Sequence, residues 1–225
     1  MEVLESKIFS IFHTLHLNAG IWAPFLITFF WVVVCRLATL RLSLWPSRLQ
    51  SLLELMLEAV HGILKPILGP AHALELVPFF STLFLYLLTA NLMGLIPGLK
   101  SPTSIFSNCL GLALIIFCMT HIMGLYKKGL GYIAHFWGEP WWMGPLMFPI
   151  HIIGELVRPL SLTLRLFGNI MGEDIILLVI LVFTIPWALP IPMMAFAIFT
   201  SVLQALVFTM LSTVYVSQAM TPDHH

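Results

Sequence analysis

The sequence predicts an all-α polytopic membrane protein with about five transmembrane helices and one amphipathic helix. Three observations carry that expectation. The mean hydropathy over the 225 residues is +1.00. Hydrophobic residues make up 60% of the chain and charged ones only 9%, where soluble chains carry about 25% charged residues. The few charges are also gathered, so that residues 8–35, 76–99, 101–126 and 175–217 contain no Asp, Glu, Lys or Arg.

Composition excludes several functions. Ten Lys and Arg balance ten Asp and Glu, which leaves neither a basic field for nucleic acid nor an acidic tail. Cys35, Cys109 and Cys118 are scattered in apolar sequence and form no disulfide framework or metal knuckle. Glu2 and Glu5 open the chain, whereas a cleaved signal peptide opens with positive charge.

The elements follow in order along a single membrane domain, residues 1–225. A spanning helix needs about 20 apolar residues, so each of the first three charge-free runs suffices once. They predict spans over about 15–36, 75–97 and 104–126. Between the first two, Gln50, Glu54, Glu58, His61 and Lys65 recur every three or four residues among Leu, Met and Ile. That spacing predicts an amphipathic helix over about 48–66, interfacial or packed on protein, closed by Pro66 and Pro70. The last run would be roughly 65 Å long as one helix, twice a bilayer core of about 30 Å. It must bend, and Pro186, Pro190 and Pro192 mark the place. Two spans result, about 146–185 and 187–217.

Orientation is read from the short loops. Arg36, Arg41, Arg48 and Lys65 follow the first span, Lys127 and Lys128 the third, and only Lys100 lies in the alternate loops. The positive-inside rule then places the N-terminus outside and the C-terminus in the cytoplasm. Trp137, Trp141 and Trp142 read as an aromatic belt at the cytoplasmic interface, and His13 with His16 as an interfacial pair rather than a metal site.

The fourth span carries the chemistry. Glu155, Arg158, Arg165, Glu173 and Asp174 all lie in apolar sequence, and each charge at mid-membrane costs about 2.5–3.5 kcal/mol unless partnered or hydrated. On a helix, His151, Glu155, Arg158, Leu162, Arg165, Asn169 and Glu173 fall on one face. Such a stripe lines an ion route or meets a charged partner. Arg165 has no acid of its own helix within reach, Glu155 and Glu173 lying roughly 12–15 Å along the axis. Its counter-charge is therefore expected on another chain. Gly168 and Gly172 beside it permit close helix approach. Arg158 admits a second reading as a snorkelling helix-end residue, and His151 one as a packed interfacial histidine. No nucleotide, metalloprotease or serine-hydrolase motif is present, so no catalytic, cofactor-binding or metal-ligating residue is expected.

The stretch from Arg158 to Glu173, read as RPLSLTLRLFGNIMGE, resembles the signature of subunit a of bacterial F-type ATP synthases. Asn91 to Pro97 is similar to that family's third-helix end, and Gln204 within Leu203-Gln204-Ala205 to its final helix. The resemblance implies a stator beside a ring of c subunits, held by peripheral-stalk b subunits in a bacterial inner membrane. It implies that Arg165 is the essential arginine, with Asn169 and Gln204 its polar neighbours, and that the last two spans form a long tilted hairpin around the ring. The family's outer-channel acid falls on Asp174, with Glu173 one residue earlier; helical geometry favours Glu173, so both stay open. Ala197 stands where some relatives place an ionisable residue. The implied function is proton translocation through two offset half-channels. The competing reading is a stand-alone secondary transporter with an arginine substrate clamp, for which the inverted repeats common in such folds are not found.

Overall fold

A computed structural model of the chain describes residues 22–40, 48–96, 101–129, 132, 144–183 and 190–220. The His13–His16 pair, Arg41, Lys100, Pro186 and the Trp137, Trp141 and Trp142 belt lie outside the described residues. Five helices account for nearly all the rest: α1 (Trp22–Thr39), α2 (Arg48–Met93), α3 (Phe106–Lys128), α4 (Gly144–Phe183) and α5 (Pro190–Met220). A 3-10 turn, Pro102–Ser104, precedes α3. The chain is an all-α polytopic membrane protein. Four segments among the described residues are long and apolar enough to cross a bilayer: Trp22–Thr39, Ala73–Met93, Phe106–Lys128 and Pro192–Met220.

Local sequence explains the breaks. The amphipathic stretch and the second span occur in one helix, α2, interrupted at Gly69 with φ 76° and ψ 161°. Only glycine adopts that conformation at low cost, and Pro70 also bars its predecessor from the helical region. Within α4, Pro159 has no N–H to give to the carbonyl of Glu155, which loosens the helix beside the charged residues. Several hydroxyls in the spans bond to carbonyls of their own helices, as suits an apolar solvent: Thr120 donates to the Ile116 carbonyl at 2.8 Å, Thr163 to Pro159 at 2.8 Å and Ser212 to Phe208 at 2.7 Å.

Packing aligns the helices. Ser217 on α5 donates to the Ile67 carbonyl, and Asn91 on α2 donates to the Ser201 carbonyl, so α5 runs antiparallel to α2. Lys127 lies 4.0 Å from Glu75, and Trp31 donates to Thr89 at 2.9 Å. One end of the bundle therefore carries Lys127 and Lys128, and the other the Ser101 turn. The core between them is Leu64, Leu76, Phe80, Leu87, Ile116, Leu166, Phe208 and their neighbours. Large apolar side chains such as Phe25, Leu74, Ile153 and Phe199 face outward, as a lipid-facing surface does.

Candidate functional site

The polar residues of α4 lie along the seam between its buried and exposed faces. Leu162, Leu166 and Ile170 are buried, Arg165 and Asn169 are exposed, and Glu155, Arg158 and Glu173 fall in between. Helix α5 packs antiparallel against this seam in strict register. Arg158 stacks over the Tyr215 ring at 5.2 Å, Asn169 donates to Gln204 Oε1 at 2.6 Å, and Glu173 reaches the Thr200 hydroxyl. Each step up α4 is matched by an equal step down α5.

Two polar clusters result. At the Lys127 end, a cavity of about 380 Å³ is lined by Lys128, Tyr132, His151, Glu155, Arg158 and Gln218. Glu155 and Arg158 form an ion pair at 3.3 Å. Both also line a smaller pocket of about 10 Å³ with Phe117, Thr120, Leu162 and Tyr215, close to the room one water needs. Tyr132, in the turn after α3, is buried and hydrogen-bonds His121 at 2.9 Å. Burial first, then the negative charge of Glu155, push the Tyr132 phenol above its ordinary value of 10.0, with Arg158 pulling the other way. The hydroxyl therefore keeps its proton at neutral pH.

The second cluster, toward the Ser101 end, is built from direct contacts. Asn169 and Gln204 pair across α4 and α5, and Glu173 stands against Thr200, while Asp174 points to the exposed side. Behind them, Asn91 accepts from Thr103 at 2.9 Å, and Ser101 donates to the Ala90 carbonyl. Ser201 Oγ and Gln204 Nε2 are buried with no partner among the described residues, as is Glu155 Oε2 at the other cluster.

Arg165 belongs to neither cluster. It sits seven residues beyond Arg158 and eight before Glu173, about 10–12 Å from each along the axis. Among the described residues it has no hydrogen bond or ion pair. Gly168 and Gly172 have nothing within 4 Å of where a Cβ would stand, so the surface beside Arg165 is open. The structure thus brings together His151, Glu155 and Arg158, and separately Asn169, Glu173 and Gln204. No group of three metal-ligating side chains occurs among the described residues.

The ATP synthase A chain family model matches residues 19–217, a stretch that contains Arg165 and every named residue of both clusters except Gln218. The chain belongs to the ATP synthase A chain family. It is 42% identical over 188 residues to ATP synthase subunit a 2 of Syntrophotalea carbinolica, covering 84% of this chain and 80% of that relative. It is 44% identical to subunit a 1 of the same organism, covering 82% and 78%. With ATP synthase subunit a of Geobacter sulfurreducens it shares 37% identity, over 86% and 83% of the two chains. The reading as a stand-alone transporter gains no support from this membership.

Sequence reasoning missed His121, Tyr132, Thr200 and Ser201. His121 carried a signal, as a lone imidazole in the otherwise charge-free run 101–126. Tyr132 gave none, because its burial depends on a turn back across α3.

Proposed function

We propose that this chain is the membrane-embedded, proton-translocating subunit of an F-type ATP synthase, and that Arg165 couples proton flow to rotation of a ring of c subunits. The observation that carries this reading is Arg165 itself: a permanent cation at mid-span, exposed, without a partner among the described residues, and flanked by open glycines. A guanidinium does not lose its proton. Its natural complement is a carboxylate that arrives on another chain.

The orientation follows the charges. Lys127 and Lys128 lie at one end, which the positive-inside rule assigns to the cytoplasm of a bacterial inner membrane. The cavity with His151, Glu155 and Arg158 is then the cytoplasmic half-channel. Asn169, Glu173, Asp174 and Gln204 lie toward the outside, where buried Gln204 Nε2 and Ser201 Oγ call for water. A proton entering from outside crosses this second cluster and neutralises a ring carboxylate, which then travels through lipid. A carboxylate completing the turn gives up its proton to the cytoplasmic cavity. Arg165 attracts each ionised carboxylate and bars direct passage between the two routes. The driving force is about 2.3 kcal/mol per charge per 100 mV.

The test is proton flux and ATP synthesis in vesicles carrying the whole reconstituted complex. Arg165→Ala is expected to abolish synthesis and open a passive leak, with assembly retained. Arg165→Lys is expected to fail as well, with less leak, because a desolvated ammonium sheds its proton. Wild-type synthesis by Arg165→Ala would sink the mechanism. The polar stripe of α2, with Glu54, Glu58 and Lys65 exposed, is assigned to the peripheral stalk. Cross-links from a cysteine at Glu58 are expected on stalk helices; efficient capture of the ring instead counts against that placement.

A further inference from the structure

The wall of the cytoplasmic cavity opposite Glu155 is built by residues the mechanism above does not use. Phe117, His121 and Tyr132 form a row along α3 and its following turn. The His121 ring meets Phe117 edge-on with centroids 4.2 Å apart, and its Nδ1 lies 2.9 Å from the Tyr132 hydroxyl. Phe117 lines the small pocket and Tyr132 the large cavity, and both spaces are closed on the far side by Glu155 and Arg158. The two ends of the row therefore each share a space with the ion pair, Tyr132 the large cavity and Phe117 the small pocket.

Tyr132 is held there by sequence. Its ring lies on Gly124, where a Cβ would stand 2.5, 2.8 and 2.9 Å from three ring atoms. No other residue at 124 leaves the ring its seat. The turn that delivers it passes through Gly129, at φ 58°, and the Tyr132 N–H donates to the Gly129 carbonyl at 3.2 Å. The hydroxyl, hydrogen-bonded to His121, is one oriented dipole beside a cavity that Lys128, His151, Glu155 and Arg158 share with Gln218 and apolar side chains.

We propose that His121 and Tyr132 act as a positioning pair that sets the pH dependence of proton passage through the cytoplasmic cavity. The inference rests on the cavity being that half-channel. Around Glu155, among the described residues, stand Lys128 and Tyr132 at the end of α3, His151 and Arg158 from α4, and Gln218 with Tyr215 from α5, and His121 on α3 lies within electrostatic reach. With the phenol neutral, His121 Nδ1 either accepts its proton in hydrogen bonding or, as the Nδ1–H tautomer or when doubly protonated, donates to its oxygen. Either way the phenol oxygen is tied to α3. Removing it leaves a more apolar wall, which favours the protonated state of a carboxyl across the cavity. Removing His121 frees the hydroxyl to turn toward the cavity and donate there, which favours the ionised state.

The experiment is ATP-driven proton pumping by the whole complex in vesicles with the cytoplasmic face outward, normalised to ATP hydrolysis at each external pH. Tyr132→Phe keeps the ring on Gly124 and the turn intact. It is expected to move the half-maximal pH upward by about half a unit. His121→Leu is expected to move it the other way, and to do nothing further once Tyr132→Phe is present, because the pair acts through one hydroxyl. A Tyr132→Phe profile that overlays the wild type overturns the proposal, and so does an independent His121→Leu shift in the Tyr132→Phe background. Glu155→Gln separates the two levels of failure. If it leaves the pH profile untouched, the cavity is not the half-channel; if it moves the profile while Tyr132→Phe does not, only the positioning role falls.

Discussion

The two polar clusters of α4 solve the same problem by opposite means. The cluster at the basic end is open: about 380 Å³ of space, an ion pair at 3.3 Å, and three further titratable groups around it. The cluster beyond Arg165 is built from direct contacts instead: Asn169 touches Gln204 at 2.6 Å, Glu173 stands against Thr200, and the buried Ser201 Oγ and Gln204 Nε2 have no partner among the described residues. An open, wet site offers many carriers for a proton, so no one of them is indispensable. A site of directly paired groups offers one file, and losing a member breaks the file. The difference in arrangement thus becomes a difference in tolerance to mutation.

Neutralising one acid in each cluster tests that contrast most sharply. Glu173→Gln is expected to lower proton-driven ATP synthesis by about 100-fold, the usual worth of a positioned proton-transfer group. Glu155→Gln is expected to cost about tenfold, because His151 and water share its cavity. Asp174→Asn, on the exposed side of the helix, is expected to cost less than Glu173→Gln. All three are read as ATP synthesis at fixed proton-motive force in reconstituted vesicles. Equal losses at Glu155 and Glu173 break the comparison, and intact synthesis in both Glu173→Gln and Asp174→Asn removes both acids from the route.

The helical class was legible because lipid imposes simple rules: long charge-free runs and few charges admit little else. The α4 stripe was legible for the same reason, since five charges in apolar sequence need an explanation that helical spacing supplies. What the spacing could not show was the partner of each group. Whether Asn169 meets Gln204, or Glu173 meets Thr200, depends on the register of α5 against α4, and neither residue's neighbours in sequence encode it. Tyr132 was less legible still. Its seat is an absence, the missing Cβ of Gly124, and a glycine in a span reads equally as lipid-facing, as at Gly111 with nothing within 4 Å. The φ of Gly69 shows the converse case, where an adjacent Pro70 announces the break that the backbone takes.

A smaller effect sharpens the comparison from the side of stability. Gln204 is buried, and its Oε1 is satisfied by Asn169. Asn169→Leu leaves that acceptor without a partner, at a cost of about 1–3 kcal/mol. Gln204→Leu removes the buried amide altogether and also its unpartnered Nε2, so it is expected to cost less. The double variant is expected to be no less stable than Asn169→Leu alone, since the orphan is gone. Thermal melting of the purified complex measures all three, and the cycle isolates the pair because the two side chains touch. A corresponding cycle across the open cluster, Glu155→Gln with Arg158→Gln, is expected to show weaker coupling, because the partly exposed ion pair is screened by water. Strict additivity of Asn169→Leu and Gln204→Leu would mean the 2.6 Å contact carries no energy, and the directly paired cluster would then be no tighter than the open one.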